Sequence, residues 1–502
     1  MKRNGTWTRR ELLAAGGGFG SGAMLGARGA LGAGAAFGAQ GRGVRPPNIV
    51  VILIDDYGWR DLGCYGSTFY ETPNLDKFAR ESVRFTNGYA ACPVCSPTRA
   101  SVLTGQYPVR SGVTDWIAGR KQWPAAKALC PRTKTELALE HTTLAEALQP
   151  AGYVSASVGK WHLGGEGFSP REQGFALNAG GTAGGSPRSW WPPYQLETLT
   201  DPAPEKDEYL AHYLTRRAVA FMEQNKEKPF FLYLPHFSVH IPLGAPPALV
   251  EKYKRKVAAG ESAGAAQGDA TYGAMVEAMD DAVGLLLRKI DELGLAENTL
   301  VFFLADNGGL RYEGASKKHV TDNAPLRAGK GHLYEGGIRV PFMVRWKGKV
   351  RPGVSDVAVC STDIFPTALA AAGVKAGSEI DGVDLLPHLT KRGAVKREAL
   401  YWHYPHYSNQ GGVPGGVVRQ GDWKLIEFYE DGRLELYNLK DDIGERRNLA
   451  RIEAGRARAM RLKLSMWREE RKAIMPVANP GYDAGKADQG LTGAEMPTPP
   501  VP

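Results

Sequence analysis

Four apolar runs, each closing on a cluster of polar residues, restrict this chain more than any other feature of it. They are Asn48-Ile49-Val50-Val51-Ile52-Leu53-Ile54, Val154–Val158, Phe230–Pro235 and Thr299–Leu304. A strand with one wet face alternates apolar and polar residues, whereas a continuous β-branched run belongs to a strand buried on both faces. Helical patterns lie between the runs, at Thr143–Leu148 and Met275–Leu293, and Pro341–Trp346 offers a further strand. Strands alternating with helices predict an α/β fold, a large and mostly parallel sheet flanked by helices, here over residues 46–385. The pattern changes near residue 390. Leu400–His403, Gly416–Arg419, Trp423–Phe428 and Leu434–Asn438 are short strands separated by turns such as Gln420-Gly421-Asp422 and Glu430-Asp431-Gly432. With a helix over Gly455–Lys472 they predict a smaller C-terminal antiparallel sheet and helix, an α+β subdomain spanning 386–478. Residues 479–502 form a Pro/Gly-rich tail, and no internal repeat is present.

The chain has 502 residues and a net charge of +9, which raises nucleic acid as a partner. Its distribution argues otherwise. Residues 1–39 hold Lys2, Arg3, Arg9, Arg10 and Arg28 against Glu11 alone, so four of the nine charges sit there. A basic start, the Thr8-Arg9-Arg10-Glu11-Leu12-Leu13 core, a weakly apolar Gly/Ala run and small residues near Ala33–Ala39 predict a twin-arginine signal peptide. The expected location is periplasmic or secreted, with the Tat export machinery as a partner. Glycine and Arg28 interrupt every run long enough to span a bilayer, which excludes stable membrane insertion. The remaining basic residues are scattered, with modest groups such as Lys252–Lys256, and read as a solvated surface rather than a nucleic-acid site.

Ligands of open parallel sheets bind outside the carboxyl ends of the strands. Here those ends carry Asp55-Asp56, then Gly159-Lys160-Trp161-His162-Leu163-Gly164, then His236 and His240-Ile241-Pro242, then Asp306-Asn307-Gly308-Gly309. Adjacent carboxylates repel unless a cation neutralises them. Asp55, Asp56, Asp306 and Asn307 offer only oxygen, which suits Ca²⁺ or Mg²⁺ rather than Zn²⁺. Helix capping is the alternative use of these acids. Cys92-Pro93-Val94-Cys95-Ser96-Pro97-Thr98-Arg99 places Cys95 and Arg99 on one face of a helix that a loop enters. On chemistry alone, Cys92 and Cys95 equally suit a redox pair or half of a zinc site. The five cysteines (Cys64, Cys92, Cys95, Cys130 and Cys360) make an odd count, so one is expected to have a special task and the rest to pair or stay buried thiols.

Cys95-Ser96-Pro97-Thr98-Arg99 resembles the signature of the type I sulfatases, cysteine-x-proline-x-arginine. Asp55-Asp56-Tyr57-Gly58, Gly159–Gly164, Asp306-Asn307-Gly308, Gly329-Lys330 through Glu335-Gly336-Gly337, Asp363-Ile364-Phe365-Pro366-Thr367 and Leu436-Tyr437-Asn438-Leu439 follow in family order. The resemblance spans roughly residues 46–475. It is strongest to bacterial arylsulfatase A-like and N-acetylgalactosamine-sulfatase-like members, and it implies an alkaline phosphatase-like fold. By that resemblance Cys95 is oxidised to Cα-formylglycine by a formylglycine-generating or sulfatase-maturating enzyme. One hydroxyl of the hydrated aldehyde attacks sulfur and the other expels sulfate. Asp55, Asp56, Asp306, Asn307 and modified Cys95 are the implied Ca²⁺ ligands. Arg99 holds the formylglycine hydroxyl, Lys160 and Lys330 grip sulfate oxygens, His162 serves as base, and His240 protonates the leaving oxygen. His236 is equally a structural residue, and Ser186 is a candidate sulfate contact.

The implied activity is that of an exported sulfatase on sulfated carbohydrates or aryl sulfates, with Trp190, Trp191 and Tyr194 as a possible sugar platform or simply loop packing. A phosphonate monoester or phosphodiester hydrolase on the same core, and a non-catalytic sulfated-glycan binding protein, are the alternatives. The full ligand and anion-binding set disfavours the second of these.

Overall fold

The seven residues of strand β1, Asn48–Ile54, are buried without exception. Alternate side chains feed two different cores, Val50, Ile52 and Ile54 on one face and Ile49, Val51 and Leu53 on the other. This is why the run needs no polar residue. The structure is a computed structural model that describes residues 45–486, apart from 123, 200–202, 262–266, 314–317 and 378. The expected signal segment, 1–39, and the tail beyond residue 486 lie outside the described residues.

The further strands of the main sheet are β2 (Val83–Phe85), β3 (Val154–Val158), β4 (Leu177–Ala179), β5 (Phe230–Pro235), β6 (Thr299–Ala305), β7 (Phe342–Arg345) and β8 (Gly353–Ser355). The eight strands lie in the order β8-β2-β7-β6-β1-β5-β3-β4. β1 pairs in parallel with β5 and β6, and β3 with β5 and β4. Only β7 runs against its neighbours. Helices α1 (Cys95–Thr104), α2 (Leu144–Leu148) and α5 (Ile364–Ala371) cover one face; α3 (Leu210–Asn225) and α4 (Ala270–Glu292) cover the other. Thr143 caps α2 rather than opening it: its side chain accepts from the Glu146 N–H, and the Glu146 carboxylate accepts from the Thr143 N–H. Strands β2, β4 and β8 and helices α3 and α5 are additions to the sequence reading. Each of those strands is three residues long, too short to show a period.

Strands β9 (Leu400–Tyr404), β10 (Gly415–Gln420), β11 (Trp423–Phe428) and β12 (Leu434–Asn438) form the smaller antiparallel sheet. Helix α6 (Ala454–Glu470) packs Met460, Leu464 and Trp467 on one of its faces. The other face buries Trp402, Val417 and Ile426 against Cys92, Val94 and Tyr334. The small sheet thus backs the segments that carry Cys95 and Lys330. Lys424 of β11 reinforces the contact, with its ammonium 2.9 Å from Glu335 and 2.8 Å from Glu445, all three side chains fully buried. Removing one member of such a set strands a buried charge.

All five cysteines are free thiols, so no disulfide supports the fold. Lys252 and Lys256 pair with Glu71, and Lys252 also with Glu277, which gives that basic group a structural use. Among the described residues no helix is long and apolar enough to cross a membrane.

Candidate active site

Register builds the centre of the site. Ile54 and Ala305 are partners in the last rung between β1 and β6, so Asp55-Asp56 and Asp306-Asn307 leave the sheet abreast. The chain after β5 crosses the same end, where the Asp55 N–H donates to the Ser238 carbonyl and the Val239 N–H to the Asp55 carbonyl. After β3 the chain must turn at Gly159 (φ 127°), where a Cβ would stand 2.0 Å from the Pro235 carbonyl oxygen; no other residue fits. That turn delivers Lys160 and His162. Asp56 and His162 both take left-handed backbone, each at φ 58°. Such conformations in side-chain-bearing residues are held only where the surroundings impose them.

Three buried cations meet three buried carboxylates. Lys160 Nζ donates to Asp55 Oδ2 at 2.7 Å, and Lys330 Nζ to Asp56 Oδ2 at 2.8 Å. Arg99 donates to Asp306 Oδ2 through Nε (2.9 Å) and Nη2 (2.6 Å), and through Nη1 to the Lys160 carbonyl at 2.9 Å. Arg99 therefore fixes both Asp306 and the Lys160 turn. Burial and the Asp306 charge still push the Asp55 carboxyl upward, against Lys160 and Arg99. Burial acts the same way on Asp56, but Lys330 and His240 outweigh it and hold that carboxyl well below the usual range.

Two oxygens in this cluster have no donor. Asp55 Oδ1 and Asn307 Oδ1 are buried and unbonded, although Asn307 Nδ2 donates to Asp56 Oδ1 at 2.8 Å. Ligand atoms of Asp55, Asp56 and His240 lie within 4.8 Å of one another. Buried oxygens without donors are costly unless a cation satisfies them. An all-oxygen set from Asp55, Asp56, Asp306 and Asn307 fits a hard divalent cation, whose charge would also reverse the upward push on Asp55.

Cys95 is the first residue of α1 and is 3% exposed. Its Sγ lies 3.4 Å from His162 Nδ1. The other nitrogen of His162, Nε2, meets the Ile117 carbonyl oxygen, which can only accept; Nε2 therefore carries the proton and Nδ1 is left to accept one. Burial, then the Lys160 charge, keep this imidazole neutral far below its ordinary range. Burial pushes the Cys95 thiol up, despite Lys160 and Lys330. His240 donates from Nδ1 to the Ile241 carbonyl at 2.6 Å, so Nε2, 3.6 Å from Asp56, is its open nitrogen. Burial and Lys330 lower His240 to about 3.

The structure brings together Asp55, Asp56, Cys95, Arg99, Lys160, His162, His240, Asp306, Asn307 and Lys330. Ser186 joins the edge, 3.4 Å from His240 Nδ1. His236 is buried with neither ring nitrogen bonded, and it touches none of these side chains through a hydrogen bond. Trp190 is packed in the core rather than offered as a sugar platform, whereas Tyr194, although mostly buried, lies in the wall of a cavity beside Ser186. Trp190 and Tyr194 are each 4% exposed, Trp190 stacked on Tyr209 and donating to the Pro242 carbonyl at 2.7 Å; Trp191 packs partly buried against the same core.

Sequence reasoning missed the residues that act through backbone. Ile117 sets the His162 tautomer by its carbonyl alone. Gly185 lies flat against the ring, with a Cβ there falling 2.5 Å from His162 Cε1. The Lys330 segment is seated by the Gly331 N–H on the Pro93 carbonyl and by the touching backbones of Gly308 and Gly336, where a Cβ would stand 1.8 Å from oxygen. Glycine spacing in Asp306–Gly309 and Glu335–Gly337 was the signal for the last of these.

Comparison with known proteins identifies the family. The family model described as "Sulfatase" matches residues 47–374, and that described as "N-sulphoglucosamine sulphohydrolase, C-terminal" matches 328–472. Arylsulfatase A of Homo sapiens is 34% identical over 464 residues, 82% of this chain and 85% of that protein. N-acetylgalactosamine-6-sulfatase of Homo sapiens is 35% identical over 383 residues, 71% of this chain and 68% of that protein. The crystal structure of Ps i-CgsB in complex with k-i-k-neocarrahexaose superposes with a TM-score of 0.70 at 26% identity, covering 88% of this chain and 96% of that one. This chain belongs to the sulfatase family, whose members are sulfuric ester hydrolases.

Proposed function

We propose that this chain hydrolyses sulfate esters of carbohydrates, sulfate ester plus water giving alcohol plus sulfate, with position 95 as Cα-formylglycine and Ca²⁺ at the carboxylate cluster. The observation that carries this is Cys95 facing the free nitrogen of His162, beside three buried cations and two donor-less oxygens. A bound Ca²⁺ would supply Lewis-acid polarisation of a sulfate oxygen and lower the pKa of a hydroxyl beside it. Asp55, Asp56, Asp306 and Asn307 would hold it. Formylglycine at position 95 would supply the hydroxyl nucleophile.

The chain's own side chains do the rest. His162 Nδ1 accepts a proton from the group at position 95. Lys160 and Lys330, now paired with Asp55 and Asp56, supply positive charge for the negative charge of a sulfate once the cation takes those carboxylates. His240 Nε2 is placed to give a proton to the leaving oxygen; an anionic substrate beside it raises its affinity for that proton. Support for a carbohydrate leaving group comes from a cavity of about 1200 Å³ lined by Thr182, Ser186, Arg188, Gln195 and Thr198, which meets the site at Ser186. The oligosaccharide complex of Ps i-CgsB gives a precedent in the same fold. The segment 1–39 is proposed to direct the chain through twin-arginine export to the periplasm or beyond.

The test compares turnover of p-nitrophenyl sulfate with that of phenyl phosphonate, alongside the mass of the tryptic peptide containing position 95. Faster turnover of the sulfate and an aldehyde mass are expected. Higher efficiency on the phosphonate would move the assignment to the phosphonate monoester hydrolases. Full activity with an unmodified thiol would refute the nucleophile.

A further inference from the structure

A second group of basic side chains lies near the first. Residues 116–135 contain Arg120, Lys121, Lys127, Arg132 and Lys134 and no aspartate or glutamate. Arg120, Lys121 and Arg132 line a cavity of about 440 Å³ whose wall also includes Ala118. Ala118 follows Ile117, the residue whose carbonyl holds His162. The cavity wall therefore starts one residue, about 3.8 Å of chain, from a contact of the proposed base.

Two of the three cations, Lys121 and Arg132, are open to a ligand. Among the described residues no carboxylate pairs with Lys121 or Arg132, both exposed. The one acid in the wall, Asp115, is already engaged: it accepts from the Trp116 and Arg120 N–H groups and from the Tyr404 hydroxyl. The backbone that carries the cations is fixed. Val477–Ala478 pairs as a strand with Ala128–Leu129, Asn479 Nδ2 donates to the Pro124 and Ala126 carbonyls, and Arg120 Nη1 donates to the Ser408 carbonyl at 2.9 Å.

The geometry points to a subsite at Arg120, Lys121 and Arg132 that binds a second anionic group, a sulfate or a carboxylate, on a neighbouring sugar of a polyanionic glycan. It rests on the sulfatase reading and sharpens its substrate from a sulfated sugar to a multiply charged chain. A neutral or singly sulfated sugar would leave these cations facing water. At physiological salt exposed charges act over about 8 Å, so the subsite reads only what lies close to it.

The test is binding of a fluorescein-labelled chondroitin 6-sulfate hexasaccharide to the full chain carrying Cys95→Ala, which needs no turnover. Failure of the sulfatase reading would show instead in the p-nitrophenyl sulfate assay on the unaltered chain. Adding Lys121→Gln with Arg132→Gln is expected to raise Kd about tenfold and to flatten the dependence of log Kd on log salt, with the melting temperature retained. Arg451→Gln with Arg458→Gln, two exposed charges removed from the C-terminal segment, should change Kd less than twofold. Desulfated and carboxyl-reduced forms of the hexasaccharide tell which anion is read, since the form that keeps the recognised group keeps the variant's effect. An unchanged Kd in the Lys121/Arg132 variant would overturn the proposal. So would an equal loss in the control pair, or equal binding of a neutral dextran hexamer or a DNA oligonucleotide.

Discussion

Arg99→Met isolates what the buried guanidinium does. Methionine restores bulk without charge, and the lost contacts can be counted: two bonds to Asp306 Oδ2, one to the Lys160 carbonyl, and a guanidinium 3.7 Å from Asp55. Asp306 then keeps only the Asp56 N–H, at 3.2 Å to Oδ1. Leaving a buried charge uncompensated costs about 3–5 kcal/mol, and the orphaned carbonyl about 1–3 kcal/mol more. The two overlap, so a loss of about 4–6 kcal/mol is expected at pH 7.5 in chelator, read from urea unfolding of matched slope. Two conditions should shrink it. Saturating Ca²⁺ places positive charge beside the same carboxylates and stabilises the fold by about 2.7 kcal/mol at one hundred times its Kd. Acid acts too: burial and the Asp306 charge push the Asp55 carboxyl upward against Lys160 and Arg99, and removing Arg99 pushes it further, so this penalty is present at high pH and fades as pH falls through that raised pKa. A loss below about 1 kcal/mol that neither Ca²⁺ nor acid alters would refute the picture of Arg99 as the keystone of a charged, cation-binding cluster.

Gly185→Ala puts a methyl 2.5 Å from His162 Cε1, so kcat on p-nitrophenyl sulfate should drop about 100-fold, as for a misplaced catalytic group, with only a modest stability change. Trp190→Ala should destabilise the protein by about 3–5 kcal/mol while leaving KM for small aryl sulfates unmoved, because the indole is core and not platform. Burial, then the charge of His403, hold His406 down to about 3, and burial holds His403 to about 4. Histidines kept neutral in the fold contribute stability that is complete above their unfolded pKa near 6.5. Each loses about 1.4 kcal/mol per pH unit below it, until its folded value is reached. Urea titrations from pH 7 to pH 5 should show that slope, and His406→Gln should remove one histidine's share of it.

Much of this site was legible because its side chains leave the sheet at the ends of recognisable strands. Asp55, Lys160, His240 and Asp306 each follow an apolar run within a few residues, and the topology of a parallel sheet then brings those ends together. What escaped was of two kinds. Three-residue strands such as Val83–Phe85 have no period, and their place at the sheet follows from pairing with β7, which only the fold supplies. Contacts made by backbone carry no residue-type signal, as at Ile117. Trp190 stayed open between platform and packing for a third reason: its partner Tyr209 stands at the N-terminus of helix α3, which the sequence reading did not include.

The ion pairs of the site also set a clock. Arg99 and Asp306 are 207 residues apart in the chain, and Lys330 and Asp56 are 274 apart. No fragment short of Lys330 can close the pocket. Such distant pairings are slow to form. The ~235 residues between Cys95 and Lys330 take about 10–50 s to translate, and through that interval the segment around Cys95 lacks the Lys330 loop that later seats against Pro93. Any enzyme that modifies Cys95 therefore has a window of at least that length, and it closes when the last cation arrives.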